Sequence, residues 1–167
     1  ASVKWLRQIK VVDQPMMTRD ETSKYSDLLP DGRARQFTFT MEPKSLITRP
    51  SAGQTLKGPG FHEISGLAWS GQGAITRVEV STDGGATWAD GALHAPVLPY
   101  FYTRFTAPWR WDGRESVLLA RCTDETGYVQ PARAELVEAR GVHSVYHCNA
   151  IQGWRVNPDG TVVDAAV

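Results

Sequence analysis

Glycine and proline recur so often along this chain that long helices are excluded. The 167 residues include 15 glycines and 10 prolines, which break the sequence about every 10–15 residues. Between them lie short runs with apolar side chains at alternate positions, a period that is typical of β-strands. The chain is therefore expected to form an all-β domain from many short strands.

The strand pattern is clearest in a predicted hairpin at the centre of the chain. Residues 75–81, ITRVEVS, alternate with two valines on one face. The DGG sequence that follows, residues 83–85, supplies the positive φ angles of a tight turn. Trp88 then begins the return strand.

Further strands are predicted on both sides of this hairpin. They cover residues 2–12, 35–41, 44–48, 62–69, 100–105, 115–123, 132–139 and 148–156. In residues 62–69 the inward face is either that of Ile64 and Ala68 or the opposite one, depending on a bulge at Gly66. About seven strands at spacings of about 8–15 residues are typical of an immunoglobulin-like β-sandwich.

The N-terminal part of the chain lacks the regular strand pattern of the rest. Residues 13–31 are polar and include two prolines. A long irregular segment usually packs on another surface or serves a function. Residues 1–45 are therefore predicted to be an irregular N-terminal junction and arm that packs along another domain. The alternative is a mobile tail. Residues 46–167 are predicted to form the sandwich. The strand-like pattern around Ala1 favours a fragment or a processed product.

The net charge and the hydropathy of the chain argue against two kinds of partner, nucleic acid and the lipid bilayer. The chain has 18 basic and 18 acidic side chains, so no basic surplus favours nucleic acid or an anionic membrane surface. No stretch reaches the about 18 apolar residues that span a bilayer. We expect no nucleic-acid partner and no membrane span.

Histidine and cysteine offer one candidate for metal chemistry. His143 and His147 lie four residues apart, with Cys148 next to them, a spacing that suits zinc on a helix. The flanking residues are not helical and no glutamate lies between the histidines. Polar or packing roles are therefore favoured and no metal site is predicted. Cys122 and Cys148 either pair or remain two free thiols.

Six aromatic residues are concentrated in one region of the chain. They could form a carbohydrate-stacking platform, or a sandwich core together with an oligomer interface, where aromatic residues are enriched. The second interpretation is favoured. The cluster consists of Tyr100, Phe101, Tyr102, Phe105, Trp109 and Trp111.

Four stretches of the sequence together resemble one known family. They are residues 2–6 (SVKWL), 66–88 (GLAWSGQG and ITRVEVSTDGGATW), 124–131 (DETGYVQP) and 140–142 (RGV) with Asn149. They are similar to the C-terminal dimerisation domain of the sulfite-oxidase family of molybdenum enzymes. Residues 19–22, 44–48 and 146–154 resemble its sulfane dehydrogenase branch, the molybdenum subunit of bacterial thiosulfate oxidation. Glu138 and Ala139 stand where the wider family has Trp-Asn.

The resemblance implies a set of partners and a location. It implies a homodimer, a molybdopterin-binding catalytic domain and a c-type cytochrome subunit in the periplasm. The family's molybdenum-ligating cysteine belongs to the central domain, which this sequence lacks. This chain alone is therefore not expected to be catalytic or to bind the cofactor fully.

The resemblance also implies roles for four residues. Arg140 matches the family's arginine that reaches the substrate pocket. A guanidinium can bind an oxyanion with two hydrogen bonds. The alternative for Arg140 is a structural ion pair. Ser2, Val3 and Lys4 match the segment that contacts the pterin, with a frayed end as the alternative.

The predicted function follows from these matches. The chain is expected to dimerise and to complete the anionic sulfur-substrate pocket of a molybdopterin-dependent sulfite or sulfane oxidoreductase. The alternative is a stand-alone β-sandwich binding module, such as a carbohydrate-binding one.

Overall fold

A computed structural model describes residues 3–36, 40–142 and 147–166. Strands dominate these residues, and the two helices are short. In chain order the elements are α1 Arg19–Lys24, β1 Asp27–Leu28, β2 Ala34–Arg35, β3 Lys44–Arg49, β4 Gly60–Trp69, β5 Ile75–Ser81, β6 Ala89–Asp90, β7 Ala92–His94, β8 Thr103–Trp111, β9 Ser116–Asp124, α2 Arg133–Arg140, β10 Gly153–Val156 and β11 Val162–Ala165.

Two antiparallel sheets form the sandwich. The strand order is β3-β4-β8-β7 in the four-stranded sheet and β11-β10-β9-β5-β6 in the five-stranded sheet. Strands β1 and β2 form a separate small hairpin. The predicted all-β sandwich is confirmed. No helix in the described part of the chain has the length and apolar character needed to cross a membrane.

The inward face of β4 is set by Gly66. Ile64 and Ala68 are fully buried, so the first of the two predicted faces is correct. A Cβ atom at Gly66 would lie 2.3 Å from Cζ of Phe105 on β8, and only glycine leaves room for that ring. The irregularity of this sheet falls in β3, between Ile47 and Arg49, and not at Gly66.

The central hairpin forms, with its return strand beginning at Ala89 rather than at the predicted Trp88. Strand β5 pairs antiparallel with β6, and the turn between them contains Gly84 and Gly85 at φ angles of +73° and +97°. The Ser81 hydroxyl accepts a hydrogen bond from the Gly85 amide at 2.8 Å. The turn therefore depends on backbone conformations that glycine adopts without strain.

The strand predicted over residues 132–139 is wrong, because these residues form helix α2. Its sequence, RAELVEAR, consists mostly of good helix formers. The Glu135 carboxylate accepts a hydrogen bond from the Ala132 amide at 2.8 Å. Gly141, at a φ of +75°, ends the helix, as is usual for glycine in this position. An eight-residue helix is too short to show a clear period of 3.6.

Other strand boundaries also differ from the prediction. Residues 3–12 form no strand, since no described segment pairs with them, and helix α1 lies in the arm predicted to be irregular. Strand β8 begins at Thr103 rather than at residue 100, and β10 begins at Gly153 rather than at residue 148. Of the predicted strand 35–41 only Arg35 lies in a strand, and residues 37–39 lie outside the described residues.

A buried amide joins the two sheets. The Gln130 Oε1 atom accepts hydrogen bonds from the Ser45 amide at 2.8 Å and the Ser45 hydroxyl at 2.7 Å. It also accepts one from the Cys122 amide at 3.3 Å. Ser45 belongs to β3 and Cys122 to β9, so one side chain links both sheets inside the core.

We expect Gln130→Leu to destabilise the fold without changing its topology. The leucine has a similar size but accepts no hydrogen bond, so the Ser45 donors would be left buried and unsatisfied. Each such donor costs about 1–3 kcal/mol, and the free energy of unfolding should fall by about 3 kcal/mol. Equilibrium urea denaturation measures this loss.

The control for this change is Gln54→Leu. Gln54 is exposed, so its replacement should alter stability by less than about 0.5 kcal/mol. Equal stability of the two variants would contradict the structural role given to Gln130.

Candidate functional site

Arg140 is the last residue of helix α2. The Gly141 amide that follows it donates to the Val137 carbonyl at 2.7 Å, which closes the last helical turn. A guanidinium in this turn also interacts favourably with the helix dipole. The Arg140 side chain is only 9% exposed, so it is held inside the protein.

Two arginines share one buried carboxylate. Arg140 Nη2 donates to Glu42 Oε1, and Arg35 Nη2 donates to the same oxygen at 3.2 Å. Glu42 is 6% exposed and Arg35 is 41% exposed. Two guanidinium groups from distant parts of the chain therefore meet at one buried carboxylate oxygen.

Several buried polar atoms of this region have no hydrogen-bond partner among the residues that the structure describes. They are Arg140 Nη1, Glu42 Oε2 and Asn149 Oδ1. The Asn149 Nδ2 atom donates to the Pro43 carbonyl at 3.2 Å. A buried unsatisfied polar atom costs about 1–3 kcal/mol. The region is thus a place where a group from outside this chain could supply hydrogen bonds.

A small cavity adjoins this cluster. Its volume is about 110 Å³, which is room for a small polar group. Lys44 Nζ, at its edge, donates to the Cys148 carbonyl at 2.7 Å. The lining residues are Met41, Glu42, Lys44, Trp69, His147, Cys148 and Asn149.

The structure thus brings together some predicted site residues and separates others. Arg140 and Asn149, both from the same motif, contact adjacent residues of one segment, Glu42 and Pro43 respectively. Ser2 lies outside the described residues, while Val3 and Lys4 are exposed and form no hydrogen bond to this cluster. Sequence reasoning missed Arg35 and Glu42. Glu42 lies 98 residues from Arg140, and no local spacing signals such a pair.

Cys122 does not fit the role of a molybdenum ligand. Cys122 and Cys148 are both free thiols. Burial raises the pKa of the Cys122 thiol to about 12, so it stays protonated, whereas the thiolate is the form that binds metal. No group of three or more His, Cys, Asp or Glu side chains lies together in the described ranges. His143, of the zinc alternative, lies outside those ranges.

The aromatic cluster divides into two parts. Phe105, Trp109 and Trp111 are buried in the sandwich core, as the favoured interpretation predicted. Tyr100, Phe101 and Tyr102 are 75%, 56% and 57% exposed, respectively. These three, together with Trp69, form a surface that we call the aromatic patch. Within it the Trp69 and Tyr102 rings pack edge to face, with 5.4 Å between their centroids.

Comparison with known proteins gives the class of this domain. Residues 35–153 match the Mo-co oxidoreductase dimerisation domain, and the chain belongs to that family. The sulfite oxidase of Gallus gallus is 31% identical over 157 residues, which cover 86% of this chain and 34% of that protein. A nitrate reductase of Solanum lycopersicum is 29% identical over 160 residues, covering 78% of this chain and 17% of that protein. The predicted relation to the sulfite-oxidase family is confirmed.

This chain is also similar to a solved structure from one branch of the family. The sulfane dehydrogenase SoxCD from Paracoccus pantotrophus contains a chain with 49% identity and a TM-score of 0.88. The match covers 93% of this chain and 40% of that one. This chain therefore spans 40% or less of each of these three proteins. The comparisons give no support to the carbohydrate-binding alternative.

Proposed function

We propose that this chain dimerises a molybdopterin-dependent enzyme that oxidises a sulfur compound, and that it completes the enzyme's substrate pocket. The 49% identity to a sulfane dehydrogenase chain over 93% of this chain carries the proposal. The oxidation itself is cofactor chemistry, and it belongs to a separate catalytic domain. In the same proposal the electron acceptor is a c-type cytochrome subunit and the location is the periplasm.

The N-terminal residues fit the role of a junction with that catalytic domain. Trp5 is 94% exposed and Val11 is 99% exposed. Extended apolar exposure of this kind marks a surface that another protein surface covers. Residues 1–45 are therefore proposed to be the arm between the domains. Ser2, Val3 and Lys4 would then lie near the pterin, where a lysine suits a phosphate group.

The first test uses the full-length gene product. It should contain molybdenum and reduce a c-type cytochrome when a sulfur compound is supplied. Metal analysis and the cytochrome absorbance change measure these two properties. A full-length product that lacks molybdenum and binds glycans would overturn the proposal in favour of the binding module.

Arg140 is proposed to bind the anionic substrate. Its buried Nη1 atom has no partner among the described residues, so it can donate to an oxyanion. Loss of such a charge-assisted contact costs about 1.5–3 kcal/mol. We expect Arg140→Gln in the full-length enzyme to lower kcat/KM by about 10- to 150-fold. Because the change also removes the buried partner of Glu42 and leaves it only the partly exposed Arg35, Tm should fall as well.

A double variant separates the two roles of Arg140. Glu42→Gln combined with Arg140→Gln removes both buried charges, so Tm should recover relative to the single variant. If Arg140 binds substrate, kcat/KM stays low. Recovery of both quantities would instead make Arg140 a structural ion-pair partner. Arg133→Gln, an exposed change on the same helix, is the control and should alter neither quantity.

The aromatic patch is proposed to lie in a symmetric homodimer interface. Interface cores are rich in aromatic residues, and the patch exposes three of them at one end of the four-stranded sheet. An obligate interface of this type buries roughly 2,000 Å² or more. The aromatic patch would supply central contacts of such an interface.

We expect Tyr100→Ser with Phe101→Ser to weaken dimerisation. Loss of a buried aromatic contact costs about 2 kcal/mol, so the dissociation constant should rise by about 30-fold or more. Sedimentation of the full-length protein at micromolar concentration measures the change. Phe61→Ser is the matched control, since Phe61 is 79% exposed at the opposite end of β4. A monomeric wild type, or dissociation caused only by the control change, would contradict the proposed interface.

A further inference from the structure

We propose that the small cavity beside Glu42 holds a neutral hydrogen-bond donor from the catalytic domain, namely the side-chain amide of an asparagine or a glutamine. This inference rests on the proposed function, because it needs a catalytic domain that packs against this chain. It concerns the cavity of about 110 Å³ that Cys148 and Asn149 help to line. The Arg140 guanidinium, proposed above to bind the substrate, is a separate group.

Two residues that line this cavity carry a buried acceptor atom without a hydrogen-bond partner in the described part of the chain. They are Glu42, through Oε2, and Asn149, through Oδ1. The two residues are only 6% and 3% exposed, respectively. A buried oxygen without a partner is costly, and an N–H or O–H group that enters the cavity would remove that cost.

Both acceptors belong to side chains that are already anchored. Glu42 accepts through its other oxygen, Oε1, from Arg140 and from Arg35. Asn149 donates through Nδ2 to the Pro43 carbonyl at 3.2 Å. Each side chain is thus fixed through one polar atom and keeps the other for a ligand. Two acceptors fixed in this way can orient a donor group.

The charges around the cavity favour a neutral donor over an ion. Glu42 already accepts from the guanidinium groups of Arg35 and Arg140, and both would repel a third cation at the same carboxylate. Lys44, which also lines the cavity, adds to this repulsion. An anion would bring acceptors alone, and these would face the oxygens of Glu42 and Asn149 with no proton between them. A primary amide is uncharged and offers two N–H donors.

The lining of the cavity favours a protein side chain over solvent. Met41 and Trp69 line it together with the polar residues, and Met41 is 48% exposed. A lining that is partly apolar and partly polar suits a side chain with an apolar stem and a polar tip. This chain covers 40% of the sulfane dehydrogenase chain, so the rest of a protein of that type is available to supply the side chain.

The test uses Cys148, a free thiol that lines the cavity. In the full-length holoenzyme a filled cavity should make the alkylation of Cys148 by iodoacetamide slow. Asn149→Leu removes one acceptor, so the donor should leave the cavity more often and alkylation should become about tenfold faster. Mass spectrometry of the peptides measures the rate. A cavity that holds only water would give equal rates in both proteins, and this result would overturn the inference.

Asn149→Asp is the matched variant. Both substitutions remove the hydrogen bond to Pro43, but aspartate keeps an acceptor oxygen. The Cys148 rate should therefore stay within about threefold of the wild-type rate. Equal acceleration by the two variants would assign the effect to the lost Pro43 bond and contradict the inference. Cys122 is fully buried and serves as the internal reference, since faster alkylation of both cysteines would mean general unfolding and would also count against it.

Salt distinguishes a neutral occupant from a charged one. Between about 50 and about 500 mM sodium chloride the Cys148 rate should change less than about twofold, because salt screens ion pairs much more than contacts of an uncharged group. A strongly salt-dependent rate would make the occupant an ion and overturn the inference. If the full-length product contains molybdenum and reduces the cytochrome while Asn149→Leu leaves the Cys148 rate unchanged, this inference fails and the proposed function stands.

Discussion

The buried amide of Gln130 is the interaction on which the rest of this structure depends. A β-sandwich is held mainly by apolar packing, which is non-directional and by itself sets no position of one sheet along the other. Gln130 adds direction, because its single oxygen accepts from Ser45 on one sheet and from Cys122 on the other. Any slip between β3 and β9 would leave these buried donors unsatisfied.

This constraint extends to the candidate site through the start of β3. The hydrogen bonds of Ser45 to Gln130 fix the position of β3. Glu42 lies only three residues before Ser45. Two further bonds tie this segment to the rest of the chain, from Asn149 to the Pro43 carbonyl and from Lys44 to the Cys148 carbonyl. The polar residues of the site are thus held in place by hydrogen bonds to the core, and they do not lie on a flexible loop.

The sequence predicts the parts of this structure that depend on local rules. The central hairpin follows from alternation and a glycine turn, and both are visible within 15 residues. Helix α2 is missed because its eight residues are too few to show a clear helical period, although most of them are good helix formers. No local sequence pattern indicates that Arg35 and Arg140 both contact Glu42, since only the packed fold brings the hairpin, the residues before β3 and the end of α2 together. Arg140 itself was identified through family resemblance.

The Arg140–Glu42 pair is better suited to function than to stability. Burying two charges costs several kcal/mol for each ion, and apolar replacements of such pairs are often neutral or stabilising. The cost is reduced when every donor and acceptor is satisfied, but here one atom of each partner has no hydrogen bond. A pair selected for stability would be expected to form both hydrogen bonds. The open geometry fits the proposal that Glu42 orients the guanidinium and that a ligand from outside this chain completes its hydrogen bonds.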